Sequence, residues 1–466
     1  MAVSLSPIDD QSVAAFAAGL RGSVVRPDDD AYDEARQIWN GMIDRRPALI
    51  VRCAGVSDVI DTIEFARERD RPLSIRGGGH NIAGSAVSDG GIVLDCGAMD
   101  SVVVDPDTQV ARVEPGATLA DVDHETQAFG LATPLGINST TGVAGLTVGG
   151  GFGWLTPKYG LTIDNLRGAD VVTADGRLLH ASDDEHPDLF WAIRGGSGNF
   201  GIVTSFEFDL HEVGPTVLAG PLVYSHEDAR DVLQYVRGFN EEVPDECTVW
   251  AVLRRAPPLP FLQPEVHGTS VLLLVTFYAG DVTEGEAVLA PLREYGDPIA
   301  DAIEPHQYTE FQQAFDPLLE PGARNYWKSH NFTEMSDGAI ETALDYAANL
   351  PTDLSEIFFG YIGGAMNHID RDATAFPHRD ARYGMNVHTR WEDPSMDETC
   401  IEWAREFFEA MRPHATGGVY VNFLSEPAGE ESLAYRGNYD RLAELKATYD
   451  PENLFHVNQN VEPKSE

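Results

Sequence analysis

Lysine is nearly missing from this chain. Among 466 residues only Lys158, Lys328, Lys446 and Lys464 are lysine, and Lys plus Arg total 32 against 75 Asp plus Glu, a net charge of −43. So cation-poor a surface offers little to a phosphate backbone, which argues against nucleic acid as a partner. Cysteine is as scarce. Cys53, Cys96, Cys247 and Cys400 are scattered, with no metal-type pairing and no disulfide framework, so no metal site is expected. The longest apolar run, TSVLLLVTFYAG at 269–280, falls far short of the ~20 residues of a membrane-spanning helix. MAVSLSPIDDQ at the N-terminus has neither the basic flank nor the apolar core of a signal peptide. These absences lead to the expectation of a soluble, cytoplasmic protein acting on a small molecule, away from membranes. Its oligomeric state is left open.

What is present is acid, apolar residues and glycine. Hydrophobic residues make up 43% of the chain, enough to build a core. Acid is spread along the whole length, a distribution that repels itself in dilute buffer and that halophiles use. At about 1 M salt the Debye length falls to roughly 3 Å and the repulsion is screened. A halophilic protein is the expectation, with an ordinary acidic one as the alternative. The melting temperature should therefore rise from dilute buffer to molar potassium chloride; an unchanged value would end the halophile reading.

Short strands mixed with a few helices are expected up to residue 215. ALIVRC (48–53) reads as a strand, and Ser57 as the cap of a helix with Val59, Ile60, Ile63 and Ala66 on one face. PLSIR and GIVLD read as strands on either side of a glycine loop. SVVVDPDTQVARVEPG and ADVVTADGRLLHAS read as hairpins, the second turned at Asp175-Gly176. From 216 to 415 longer strands (SVLLLVTFYAG, EIFFGYIGGAMNHI, YGMNVHTRW) alternate with helices at 283–294 and 395–411. That pattern suits an antiparallel sheet backed by helices. In the tail, GGVYVNFLSE reads as a strand, followed by a helix and an Asn-rich end.

Three glycine clusters need a purpose. GSGNFG (196–201) matches the dinucleotide fingerprint letter for letter, but helix-like PDLFWAIRG precedes it and strand-like IVTSFEF follows. A Rossmann loop has the reverse order, so that match fails. VGGGFGWLTPKYG (148–160) lacks the Gly-Lys-Ser/Thr ending of a nucleotide-triphosphate loop. RGGGHN (76–81) makes sense as an anion cradle. Successive glycine amides can point inward and hold a pyrophosphate without any lysine, with His80 at the rim.

RGGGHN, STTGVAGLTVGGGFGWLTPKYGLTIDNL, FWAIRGGSGNFGIVTSFEF and YDPENLFHVNQNV occur in that order. Together they resemble the berberine-bridge-enzyme-like flavoprotein oxidases of the vanillyl-alcohol-oxidase superfamily, over residues 40 to 462. The resemblance implies an α+β fold. A two-part FAD-binding domain of the PCMH type (1–215) is completed by the C-terminal segment (416–466), with a substrate domain (216–415) between. It implies FAD bonded covalently through His80, which would raise the ring's potential as an oxidant. Residues implied to contact the cofactor are Arg76, Gly77, Gly78, Gly79, Asn81, Ser85, Asn138, Ser139, Thr140, Thr141, Gly142, Gly145, Gly150, Gly153, Leu155, Gly201, Ile202, Val203, Tyr420, Asn422 and Asn458, with Gln459 beside the last. Many relatives make a second covalent bond through a cysteine at the position of Asn138. The flavin should therefore be attached once, and Asn138 should play no part in attachment.

The active centre departs from the resemblance. The family's usual tyrosine base falls on Phe423, in YVNF, and its usual carboxylate base falls on His368, in GGAMNHI. His368 is thus the expected base, since an imidazole with an ordinary pKa near ~6.5 suits the role. Tyr420 is the second catalytic candidate. Phe152 and Phe423 should make the substrate pocket less polar. Thr141 stands where relatives control access of oxygen, and a small residue there favours molecular oxygen as the acceptor. The leading expectation is hydride removal from an alcohol or sugar hemiacetal. An amine oxidase similar to hydroxynicotine oxidases, or a flavin-holding protein without catalysis, are the alternatives.

Overall fold

The computed structural model describes residues 8–426, 429 and 431–465. Most of the segment read for a leader, residues 1–7, lies outside the described residues. The chain forms an α+β fold whose main sheets number three.

In the first sheet Leu49–Arg52 and Leu73–Arg76 both run parallel to Ile92–Asp95, and Ser23–Val25 pairs antiparallel on the outer edge. Every residue of Ile92–Asp95 is buried, as a parallel strand covered on both faces requires. Helix Val56–Glu68 lays Val59, Ile63 and Ala66 onto the core. Ser57 does not cap it; the helix starts after Gly55. Asp58, one turn in, accepts instead from the amides of Arg21, Gly22 and Ala54 at 2.8–2.9 Å, which ties strand Ser23–Val25 to the helix.

The second sheet is antiparallel, in the order Val102–Asp105, Val110–Val113, Ile202–Asp209, Leu166–Val172, Leu178–Ser182. Both expected hairpins are in it. The third, also antiparallel, runs Ala300–Asp301, Thr216–Ser225, Ser270–Tyr278, Cys247–Arg255, Glu356–Tyr361, Tyr383–Trp391, Arg324–Phe332, with Glu304–Gln307 alongside Thr216–Ser225. Helices Ala229–Glu242, Asp337–Ala347 and Asp397–Met411 cover one face. Ile357, Phe359, Met385 and Val387 pack with Ala339, Ile340, Ala404 and Phe407 in one core cluster. The pleat sends the residues between them, Glu356, Phe358, Asn386 and His388, to the other face.

One expected strand ends early and another does not form. The strand read through EIFFGYIGGAMNHI ends at Tyr361, and Ala365–His368 is a short 3-10 turn. Gly364 breaks it, with φ of 112° and its α-carbon so close to Pro157 that a Cβ would lie 2.4 Å from the Pro157 carbonyl oxygen. YVNF likewise coils, with Val421–Phe423 as a 3-10 turn. Its main chain is held by single contacts, such as the Tyr420 amide donating to Ser329 Oγ at 2.8 Å. The tail helix Tyr439–Tyr449 forms as expected.

Candidate active site

The glycine loop leaves strand Leu73–Arg76 between two anchors. Arg76 pairs with Asp95 at 2.6 Å and donates to the Ala35 carbonyl at 2.5 Å, so it holds the base of the loop rather than touching the cavity beyond it. Gly78 lies back to back with Gly142. A Cβ on Gly78 would sit 2.4 Å from the Gly142 nitrogen, and one on Gly142 would sit 2.3 Å from the Gly78 nitrogen. Two glycine segments, 64 positions apart in sequence, are thus interlocked by the absence of side chains.

His80 follows the loop and is clasped on three sides. Its ring stacks on Trp39 with centroids 5.1 Å apart. Nε2 lies 2.9 Å from Thr140 Oγ1, and Nδ1 lies 3.5 Å from Thr141 Oγ1. Burial pushes its pKa down to about 4, so the ring is neutral at pH 7.

His80 borders a cavity of about 330 Å³, a volume typical of small-molecule sites. Of the expected cofactor contacts, Gly77, Gly78, Gly79, His80, Asn81, Ser85, Asn138, Thr141, Gly142, Gly145, Gly201, Ile202, Val203, Tyr420, Asn422, Asn458 and Gln459 line it, as do Phe152 and Phe423. Others do not. Ser139 is bound to Asp316, its amide at 2.9 Å and its hydroxyl at 2.5 Å. Thr140 lies on the far side of His80. Gly150, Gly153 and Leu155 shape the chain behind the wall: Gly150 has φ of 126°, and a Cβ on Gly153 would fall 1.9 Å from the Leu135 carbonyl oxygen.

The residues present fit a flavin. Buried Asn458 Oδ1 and Gln459 Nε2, on residues lining the cavity, have no hydrogen-bond partner. A Cβ on Gly145 would meet no atom within 4 Å, so any side chain there would intrude on the cavity.

The opposite wall is the open face of the third sheet. Trp250, Trp327 and Phe358 of that face, with Trp39, Phe152 and Phe423 from outside the sheet, make the cavity mostly aromatic, and Glu356, Asn386 and His388 form a polar end. Phe152 packs against Tyr420 at 5.0 Å and Phe423 at 5.7 Å, the apolar pocket expected from those substitutions. The Glu356 carboxylate takes Arg254 Nη1 at 2.8 Å and faces His388 Nδ1 at 3.1 Å. Burial would raise its pKa, but the Arg254 charge and the His388 hydrogen bond outweigh that and pull it down to about 2. It is thus a fixed negative charge, and its side chain keeps 15% of its surface.

The nitrogens of His388 are both turned to protein oxygens, Glu356 Oε1 and, at 3.4 Å, Asn325 Oδ1; burial lowers its pKa. Tyr420 Oη accepts from the Gly151 amide and from Asn422 Nδ2, each at 3.0 Å. Burial raises its pKa to about 12, so it keeps its proton.

His368, the expected base, is not at the cavity. After Gly364 the chain turns Asn367 inward, where its amide reaches the Arg379 and Ala381 carbonyls at 2.7 and 2.8 Å. His368 comes out exposed on the surface. The polar end was missed by sequence reasoning. Its signal was the alternation in EIFFGY and GMNVHTRW, where polar residues interrupt otherwise buried strands.

Comparison with known proteins agrees with this geometry. Residues 47–182 match the FAD binding domain family, and residues 419–462 match the berberine and berberine-like family. The chain is 34% identical over 461 residues to (R)-6-hydroxynicotine oxidase of Paenarthrobacter nicotinovorans, covering 96% of this chain and 97% of that one. It is 28% identical over 471 residues to glucooligosaccharide oxidase of Sarocladium strictum, covering 94% and 91%. The solved structure of 6-hydroxy-D-nicotine oxidase from Arthrobacter nicotinovorans matches all of both chains with a TM-score of 0.86 at 31% identity. That of the Acremonium strictum glucooligosaccharide oxidase shares the fold, with a TM-score of 0.88 at 24% identity over 99% of this chain and 100% of that one.

Proposed function

We propose that this chain, which belongs to the berberine-bridge-enzyme-like FAD-linked oxidoreductases, oxidises a compact amine, with FAD bonded once through His80 and dioxygen as the final acceptor. Bound FAD supplies the hydride acceptor. The glycine loop, Asn422, Asn458 and Gln459 would hold it, and the substrate would lie between it and the sheet face bearing Glu356.

One observation carries the amine reading: a carboxylate held ionised by Arg254 stands at the polar end of an otherwise aromatic wall. Oxidation of an alcohol moves a hydride while the hydroxyl proton must go to a base. Here that base would have to be His388, since Tyr420 is protonated up to about pH 12 and Glu356 at about 2 is too weak a base. A neutral amine needs no such base. Its nitrogen lone pair takes up the positive charge as the hydride leaves, and a fixed carboxylate in an aromatic cage stabilises that cation. The reading accords with the relative named for hydroxynicotine. An oligosaccharide would need more hydrogen-bonding groups than the three at this polar end provide.

The test is anaerobic mixing with a panel of cyclic and aryl-substituted amines, alcohols and sugars, following loss of flavin absorbance. Amines should bleach the flavin. Bleaching by a sugar or alcohol and by no amine would overturn the proposal. Fluorescence that stays with the polypeptide in a denaturing gel tests the covalent bond separately.

A further inference from the structure

Asn138 stands where the resemblance leaves a vacancy, yet it is not idle. Its Oδ1 accepts from the Thr140 amide at 3.1 Å and from the Thr140 hydroxyl at 2.7 Å. The backbone amide can only donate, so the atom it faces is the amide oxygen and not the nitrogen. An oxygen of that kind accepts only, so the Thr140 hydroxyl commits its proton to Asn138. What Thr140 Oγ1 turns to His80 Nε2, 2.9 Å away, is therefore a lone pair. A lone pair calls for a hydrogen on Nε2, and a neutral imidazole carries only one. Nδ1 is left with its lone pair free, opposed only by the Thr141 hydroxyl at 3.5 Å.

We propose that Asn138 and Thr140 are positioning residues for flavin attachment, holding the hydrogen of His80 on Nε2 and presenting Nδ1 as the nucleophile. The proposal rests on the reading that His80 bonds to the flavin. Neutrality of the ring is supplied by its burial, and an unprotonated nitrogen is what a nucleophile requires. Stacking on Trp39 fixes the ring plane. His80 Nδ1 forms the bond to the methyl carbon of the flavin ring as one methyl proton leaves. The Nε2 proton then departs through Thr140, which is exposed to solvent. The electron pair of the broken carbon–hydrogen bond passes to the ring, and dioxygen takes it with two protons as hydrogen peroxide.

The test follows attachment and not turnover. Full-length protein prepared poor in flavin is incubated with FAD in air. Covalent flavin is read over time by fluorescence in denaturing gels, and non-covalent binding by quenching of FAD fluorescence. Thr140→Val should slow attachment about three- to tenfold, the fold-change equivalent of one hydrogen bond, with FAD binding unchanged. Thr140→Ser should restore the wild-type rate. Asn138→Ala should slow attachment as well, since it frees the hydroxyl to rotate. Proton resonances of the flavin-bearing peptide from wild type should show an Nδ1 linkage. Attachment by Thr140→Val at the wild-type rate, or an Nε2 linkage, would overturn this inference and leave the role of His80 standing. A wild-type protein that takes up no covalent flavin would overturn both.

Discussion

Glu356→Gln should slow flavin reduction by an amine about 10²–10³-fold, the loss typical of removing one preorganised group that stabilises developing charge. The flavin should stay attached, because His80 and the glycine loop lie on the opposite wall. The carboxylate is held by Arg254 at 2.8 Å and His388 at 3.1 Å, so it does not have to reorient when the substrate becomes cationic. Glutamine keeps the shape and loses the charge. It also leaves Arg254 without its counter-ion, so a control that ignores this end of the cavity is needed. Reduction by dithionite requires no substrate recognition and should be unchanged, as should amine oxidation by His368→Ala, whose side chain is exposed on a distant turn. The pH profile gives a second check. Glu356 titrates near 2, folded below the ordinary carboxylate value, so it is ionised across the working range and contributes no limb. The rate should rise with pH only as the substrate amine loses its own proton. Stopped-flow reduction across pH measures both. A loss under about threefold would remove Glu356 from the reaction.

The cavity wall around His80 was legible because its residues come in contiguous runs. Gly77 to Asn81 form one loop, and Asn458 and Gln459 form one tail. A loop that must bring backbone close to a ligand needs glycines in sequence, and that pattern can be read without knowing the fold. The polar end is a different kind of object. Glu356, Asn386 and His388 meet because Glu356 pairs with His388 across two strands, and Trp327 with His388 across two more. Their common face is set by the pleat and by the strand order, which no local window contains. His368 was misplaced for a related reason. Its reading extended a strand through Gly363-Gly364, where the chain instead takes a positive φ and leaves the sheet. The strand expected at YVNF failed because no neighbouring strand pairs with it in a ladder. Tyr420 nonetheless reaches the cavity, its hydroxyl fixed by Gly151 and Asn422.

The scarcity of lysine bears on one last residue. Lys446 is fully buried in the tail helix, an unusual place for one of four lysines in so acidic a chain. Its ammonium uses all three donors: the Asn199 carbonyl at 2.9 Å, Asp450 Oδ2 at 2.6 Å and the Phe455 carbonyl at 2.9 Å. Asp450 in turn accepts from the amides of Leu454 and Phe455, both at 2.8 Å. The cluster ties the GSGNFG loop to the start of the segment that carries Asn458 and Gln459. Lys446→Met should destabilise the protein by about 3–5 kcal/mol, because it strands the buried Asp450 carboxylate without its counter-ion and takes a donor from the Asn199 carbonyl, whereas the Phe455 carbonyl keeps Asn458 Nδ2 at 3.2 Å. Removing both charges, with Lys446→Met and Asp450→Leu together, should recover part of that loss, since a buried pair replaced by apolar groups is often close to neutral. Recovery should be incomplete, because the leucine cannot accept from the amides of Leu454 and Phe455. Thermal unfolding with flavin fluorescence as the probe reads both variants, and early release of any unattached flavin should accompany the single one. A melting temperature within about a degree of wild type for Lys446→Met would show that the tail is held by its apolar contacts alone.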